Sequence, residues 1–280
     1  MGTMKYSKKY LTVIHTLAII WTGVCLFPLL FSLSSSFKNN TQIFGEPFAF
    51  PQSFSTGVDN YIFAVERAHI FLGMYNSLIY ASIATLVTLL LTMPAAYALT
   101  RMRLPFSNII TMYFVAGLTL PVHATLVALS VIVRDLGLRN TYPGIILVYI
   151  ATSFSFAIFV LSNFVKGINK EMDEAATIDG CGILRLIFQI ITPLAAPAVA
   201  TCAIIVFRNV YNDLIFSVIL LTRESMMTVS ISLMRFRGDQ LVNFGGTFAG
   251  IIIAITPLII FYSIFQKKIE QGLTAGSVKG

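Results

Sequence analysis

A chain of 280 residues that is 56% hydrophobic and 11% charged, with a mean hydropathy of +0.82, has too few polar side chains to clothe a soluble domain of that size. Its formal net charge of +7 is not gathered on a basic face interleaved with aromatics, so nucleic-acid binding does not explain it. Composition therefore points to a polytopic membrane protein.

In chain order, Lys5, Lys8 and Lys9 precede a first apolar run, Tyr10–Ser34. That run is too long for a cleaved signal peptide and lacks a small-x-small site, so it reads as a retained span. A polar stretch from Phe37 to Gly73 follows, with Phe48, Phe50 and Pro51 ahead of an amphipathic segment Asn60–Phe71. Further apolar runs cover Met74–Thr100, Asn108–Val133, Pro143–Val165, Pro193–Leu221 and Phe248–Phe265. Since about 20 apolar residues cross the ~30 Å hydrocarbon core, the predicted fold is all-α, with six transmembrane helices in a single domain over residues 1–280. A tail, 266–280, is rich in glycine and poor in apolar residues. Cys25, Cys181 and Cys202 fall in spans or in a loop, a distribution that suggests neither a disulfide nor a metal site.

Basic residues give the orientation. In a six-span chain Lys5, Lys8, Lys9, Arg101, Arg103, Lys166, Lys170, Arg185, Lys267 and Lys268 all fall on one side, which the positive-inside rule assigns to the cytoplasm. Arg134, Arg139, Arg223, Arg235 and Arg237 lie on the other side and moderate the bias. The outer segment Thr222–Thr247, with Glu224 and Asp239, and the earlier Phe37–Gly73 are each either docking surfaces or solvated loops.

The cytoplasmic segment 166–192 carries the strongest signal. Asn169 is placed to cap a short helix whose first turn holds Glu171, Asp173 and Glu174, acids that suit the positive end of a helix dipole. Met172, Ala175 and Ala176 share a face of that helix, and Gly180 suits a left-handed stop. Leu184, Ile187, Phe188 and Ile191 form a second stripe of 3.6-residue period. Thr192 is expected to cap the next helix, with Pro193 at its first position. Two short amphipathic helices joined by a sharp turn result, a helix-turn-helix with small alanines open to another protein.

Glu174-Ala175-Ala176, Gly180, Ile190 and Pro193 reproduce the spacing EAA-x3-G-x9-I-x-L-P, with Thr192 where leucine is usual and Cys181 where alanine is usual. This resembles the cytoplasmic coupling loop of the membrane subunits of binding-protein-dependent ABC importers, the type I permeases. Asn76-Ser77-Leu78, the run Leu136 to Tyr142, Asn212-Asp213 and the ending Gly272 to Gly280 resemble, more specifically, the six-span permeases of carbohydrate importers of the maltose type. The resemblance implies an import permease of a bacterial or archaeal cell membrane, both termini cytoplasmic, that moves a sugar, an oligosaccharide or disaccharide first. It implies a second homologous permease subunit, two cytoplasmic ATPase subunits and an extracytoplasmic solute-binding protein as partners. Glu174, Ala175, Ala176, Asp179, Gly180, Phe188 and Pro193 become the expected ATPase-coupling residues. No G-x-x-x-x-G-K-[ST] occurs, so the chain is expected to bind no cofactor, with ATP and magnesium used by the partner ATPase.

The fifth run contains Arg208, Asn209, Tyr211, Asn212 and Asp213. On an unbroken helix from Pro193, Arg208 would stand ~22 Å and Asp213 ~30 Å along the axis. A central charge costs ~2.5–3.5 kcal/mol against ~0.3–0.6 kcal/mol gained per large apolar residue, so these groups should avoid lipid. A solute path through Asn209, Tyr211, Asn212 and Asp213 and a structural intramembrane contact both satisfy that requirement. His123, after Pro121, fits either a solute contact or packing at a proline kink. Two other classes stay open at this stage. An ion-driven secondary transporter would leave the loop without a role, and a membrane-embedded enzyme would need catalytic groups at one depth, which only the fifth run supplies. Within the permease reading, a monosaccharide and another polar solute such as glycerol phosphate are the alternative cargoes.

Overall fold

The computed structural model describes residues 8–236 and 243–277. Lys5, Arg237, Asp239 and Gly280 lie outside the described residues, as do the side chains of His123, Lys267 and Lys268. Every described element is helical. The helices are α1 Lys8–Ser35, α2 Asn40–Gly45, α3 Phe54–Glu66, α4 Ile70–Arg101, α5 Ser107–Thr119, α6 Leu126–Asp135, α7 Tyr142–Gly167, α8 Glu171–Ile178, α9 Ile183–Leu194, α10 Ala196–Tyr211, α11 Ile215–Leu220, α12 Val229–Arg235 and α13 Phe244–Ser277.

Among the described residues four helices are long and apolar enough to cross a membrane, within α1, α4, α7 and α13, and a fifth if α9 and α10 are one bent span. Two expected spans are therefore interrupted. Pro121 breaks the run Asn108–Val133: Leu120 before it is extended (φ −76°, ψ 128°), as steric pressure from a following proline requires. The helix restarts through a tight turn in which the Ala124 amide donates to the Pro121 carbonyl at 2.8 Å. The run Pro193–Leu221 is bent by 84° between α9 and α10. Ala195 leaves helical geometry there (φ −86°, ψ 7°), just ahead of Pro197, which a helix tolerates only in its first turn.

Two compact units form, Met1–Ile70 with Leu233–Ile255 and Phe71–Ser232 with Thr256–Gly280. In the first, α1 keeps its apolar sides uncovered, as a lipid-facing helix does, while Phe31 meets Phe248 edge to face at 5.7 Å. The Asn60 amide of α3 donates to the carbonyls of Ser36 (2.9 Å) and Lys38 (3.0 Å), and Asn40 accepts from the Phe244 amide at 3.0 Å.

In the second unit α7 packs along α5 and α10. Thr141 caps α7 by accepting from the Gly144 amide at 3.1 Å, and Ile145, Ile158, Leu161 and Val165 are almost fully buried along it. α13 stays helical through Ser277, so the twelve residues from Gln266 rise ~18 Å along a helix, less than half the ~40 Å they would span if extended.

Candidate functional site

The segment after α7 folds into the expected helix–turn–helix. Asn169 Oδ1 accepts from the Glu171 amide at 3.2 Å, opening α8, and Glu171, Asp173 and Glu174 occupy the first turn, where the dipole favours them. α8 ends in a Schellman motif. The Cys181 amide bonds the Ala176 carbonyl at 2.9 Å and the Gly180 amide bonds the Thr177 carbonyl at 3.0 Å, with Gly180 at φ +71°. Asp179 is the exposed C-cap. Gly182 then opens α9, its carbonyl accepting from the Leu186 amide at 2.9 Å.

The second apolar stripe differs from the expected one. Residues 186–191 form a π-turn, and the buried side chains are Leu186, Ile187 and Ile191, whereas Leu184 is 65% and Phe188 38% exposed. The cause is Pro193, which has no N–H and whose ring would press on the Gln189 carbonyl in a regular helix. Widening to π geometry relieves that contact. The Thr192 amide then bonds the Ile187 carbonyl, and the Thr192 hydroxyl donates to the same carbonyl at 2.7 Å. Thr192 thus sits inside the helix and reinforces the π-turn; it does not cap a new helix, and exposed Pro193 does not start one.

The loop has a buried base and an open face. Ala176, Leu186, Ile187 and Ile191 join Met93, Ala96, Ala157, Leu161 and Val165 in one apolar core. Glu174, Ala175, Ile178 (86%), Leu184 and Phe188 point outward. The alanine pair therefore divides its labour: Ala176 packs inward and Ala175 is exposed. Beneath α8 lies a polar anchor that periodicity does not reveal. Tyr97 and Arg101, at the end of α4, reach Asp173: the tyrosine hydroxyl donates to Oδ1 at 3.3 Å, and Arg101 Nε forms an ion pair with Oδ2 at 3.4 Å without the alignment of a hydrogen bond. In the sequence Arg101 carries only a topology signal and Asp173 only a helix-start signal; their pairing across 72 positions leaves no local trace.

The second cluster lies where α7 faces α10. A cleft of about 250 Å³ is lined by Tyr149, Thr152, Ser153 and Phe156 of α7, by Asn209 and Val210 of α10, and by Asp213, Phe216, Val122 and Val206. α10 ends at Tyr211, so Asp213 is not on the same helix as Asn209. Instead Asp213 opens α11, its Oδ2 accepting from the Ser217 amide (3.0 Å), the Ser217 hydroxyl (3.0 Å) and the Tyr149 hydroxyl (2.8 Å). Oδ1 has one long contact, from the Phe216 amide at 3.4 Å.

Of the four polar residues read as a path, Asn209 and Asp213 line the cleft. Tyr211 is 1% exposed and stacked on Phe207 at 6.1 Å, which stacks on Phe261 at 4.3 Å. Asn212 is exposed and turns back on its own helix, donating to the Arg208 carbonyl at 3.0 Å. Tyr149, Thr152 and Ser153 are lining residues that sequence reasoning passed over: Ser and Thr hydroxyls in an apolar helix are equally at home bonding the preceding turn, as Thr152 does with the Val148 carbonyl at 3.0 Å, and a lone Tyr reads as packing.

Comparison with known proteins bears directly on this arrangement. Residues 89–275 match the family described as binding-protein-dependent transport system inner membrane component. A diacetylchitobiose uptake system permease protein of Streptomyces coelicolor is 31% identical over 274 residues, covering 97% of this chain and 90% of that protein. A trehalose/maltose transport system permease protein of Thermococcus litoralis is 31% identical over 267 residues, covering 94% and 95%. A chain in the crystal structure of a bacterial ABC transporter involved in importing the acidic polysaccharide alginate superposes with a TM-score of 0.80 over 95% of this chain and 99% of its own. At 24% identity that likeness speaks for the fold. The chain belongs to the binding-protein-dependent transport system inner membrane components, as a membrane-embedded permease of the ABC importer type.

Proposed function

We propose that this chain is one of two related permease subunits of an ATP-driven importer that carries a neutral oligosaccharide or disaccharide into the cell. The observation that carries this reading is the loop: a helix–turn–helix with an open acidic and apolar face and a base locked into the membrane helices. Such a piece transmits force. Two cytoplasmic ATPase subunits, which use ATP and magnesium, would grip the exposed face formed by Glu174, Ala175, Ile178 and Phe188. Their closure would then move the buried base, and the spans with it, between two discrete arrangements. Gly180 and Asp179 supply the turn, while the π-turn ahead of Pro193 shapes the return into the membrane.

The cargo follows from the relatives and from the cleft. The uptake proteins named above serve diacetylchitobiose and trehalose or maltose. Here the cleft offers a carboxylate, an amide and hydroxyls beside the rings of Tyr149, Phe156 and Phe216. The C–H faces of a sugar pack on such rings while its hydroxyls meet the polar groups. A volume of about 250 Å³ lies just under the ~300–1,000 Å³ of drug-sized pockets and suits one ring. Among the described lining residues the charged side chain is Asp213, which repels a phosphate and disfavours glycerol phosphate, while the Arg208 guanidinium stays outside the lining and donates to Asn209 Oδ1 at 3.1 Å. An extracytoplasmic binding protein would deliver the sugar, and the basic ends near Arg101, Arg103, Lys166 and Lys170 would face the cytoplasm.

The test is to purify the chain with its partner permease, ATPase and binding protein and to measure ATP hydrolysis against a panel of solutes. Stimulation by a neutral disaccharide or oligosaccharide, and not by glycerol phosphate, is expected. Stimulation by glycerol phosphate alone would overturn the cargo assignment.

A further inference from the structure

Arg101 is the last residue of α4, and its side chain is only 5% exposed. One guanidinium there serves two neighbouring elements. Nη2 donates to the carbonyls of Val165 (2.8 Å), which also accepts the Ile168 amide, and of Ile168, at the C-terminal end of α7, where the dipole favours a cation. Nε faces the Asp173 carboxylate of α8 at 3.4 Å, within ion-pair distance but not aligned as a hydrogen bond. Tyr97, one turn earlier on the same face of α4, donates to the other carboxylate oxygen. Ala176, one turn along α8, is packed into the apolar core that includes Ala96 and Tyr97.

We propose that Arg101 is the positioning residue that makes the end of α4, the end of α7 and the loop helix α8 move as one body, so that a push on the loop reaches both membrane helices. The inference rests on the coupling role given to the loop under Proposed function. Its physical core is that the link is hard to break and free to adjust. Separating Asp173 from Arg101 would strand a charge in a site where Asp173 is 17% exposed and Arg101 5%, a strongly unfavourable change. Contacts of 3.3 and 3.4 Å, with Nε unaligned, leave room for α8 to shift and tighten without letting go. The planar fork is essential: a lysine ammonium is a point charge and does not span two carbonyls and a carboxylate.

The experiment uses the complete importer in proteoliposomes and compares the parent with Arg101→Lys, Asp173→Asn, Asp173→Glu and, separately, Glu174→Lys on the exposed face. The readouts are complex yield, ATP hydrolysis and solute moved per ATP. Arg101→Lys and Asp173→Asn should assemble and hydrolyse ATP while solute moved per ATP falls about fivefold or more, and Asp173→Glu should recover most of it. If both variants keep the parental ratio, or lose complex yield while the surviving complex keeps that ratio, Arg101 is structural only and the inference is overturned. Glu174→Lys separates the two levels. If it disturbs ATPase association while Arg101→Lys leaves the ratio intact, the inference alone falls; if it leaves association and uptake intact, the coupling role of the loop falls.

Discussion

The Tyr142 hydroxyl donates to Asn76 Oδ1 at 2.8 Å, joining the start of α7 to the start of α4 across 66 positions. The other end of the same amide donates to the carbonyls of Ser225 (2.9 Å) and Met227 (3.0 Å). Tyr80 adds a hydrogen bond to the Met226 carbonyl at 2.9 Å, and Ser77 accepts from the Val229 amide at 2.9 Å. Asn76, Ser77 and Tyr142, which in the sequence only suggest a family, thus hold the segment leading into α12 in one conformation.

Asn76 is fully buried, so Asn76→Leu strips the donor from the part-buried carbonyls of Ser225 and Met227 and the acceptor from the Tyr142 hydroxyl. At about 1–3 kcal/mol for each lost partner, a destabilisation of ~2–4 kcal/mol is expected. Thermal unfolding of the detergent-purified complex should show a clear drop in Tm. Asn76→Asp should not restore it, since an ionised carboxylate accepts and cannot donate to carbonyls.

Gly180 should tolerate alanine better than proline. A Cβ at this position meets open space, so Gly180→Ala costs only the left-handed backbone, about 1–2 kcal/mol. Gly180→Pro demands φ near −65° where the chain has +71° and also removes the amide that bonds Thr177. Uptake by whole cells should be reduced in the first and absent in the second, with both proteins present in the membrane by immunoblot. Full uptake with Gly180→Pro would contradict the turn's role.

How much of this was legible in the sequence depended on the range of the interaction involved. Local signals were faithful: Asn169, the three acids of α8 and Gly180 each act within one or two turns, and the structure places them as their spacing indicates. Span lengths were less so, because hydropathy adds up across Pro121 and Ala195 without registering that the backbone turns there. Periodicity also failed at 186–191, where the widened turn leaves Phe188 facing outward and Leu186 inward, and Leu184, just ahead of it, is exposed as well. Long-range polar pairs left no pattern. Arg101 with Asp173, and Tyr149 with Asp213, are separated by 72 and 64 positions, and each member alone has an ordinary local explanation.

A packing prediction follows at Gly144. A Cβ there would collide with the backbone carbonyl of Leu138, which cannot rotate away as a side chain can. Gly144→Ala should therefore destabilise by ~1–3 kcal/mol, read as reduced yield of monodisperse protein on size-exclusion chromatography. Gly182→Ala, where a Cβ meets open space, is the matched control and should behave as the parent.

The cleft makes a separable prediction about solute. Asn209→Leu and Ser153→Ala each remove a polar lining group, and loss of one hydrogen bond of ~1.4 kcal/mol corresponds to about a tenfold rise in the solute concentration giving half-maximal uptake. Asn212→Leu removes a contact of the helix with itself and should leave solute preference unchanged. Concentration-dependent uptake of each accepted sugar checks all three. An altered preference in Asn212→Leu with none in Asn209→Leu would move the solute path away from this cleft.

The most direct measurement is uptake into proteoliposomes that contain either this chain alone or the complete importer, with binding protein and sugar outside and ATP inside. Sugar accumulation is expected only with the complete importer, only with ATP, and should be lost with Glu174→Lys on the exposed face of α8. Accumulation by this chain alone, driven by an imposed ion gradient and indifferent to ATP and to Glu174, would contradict the account.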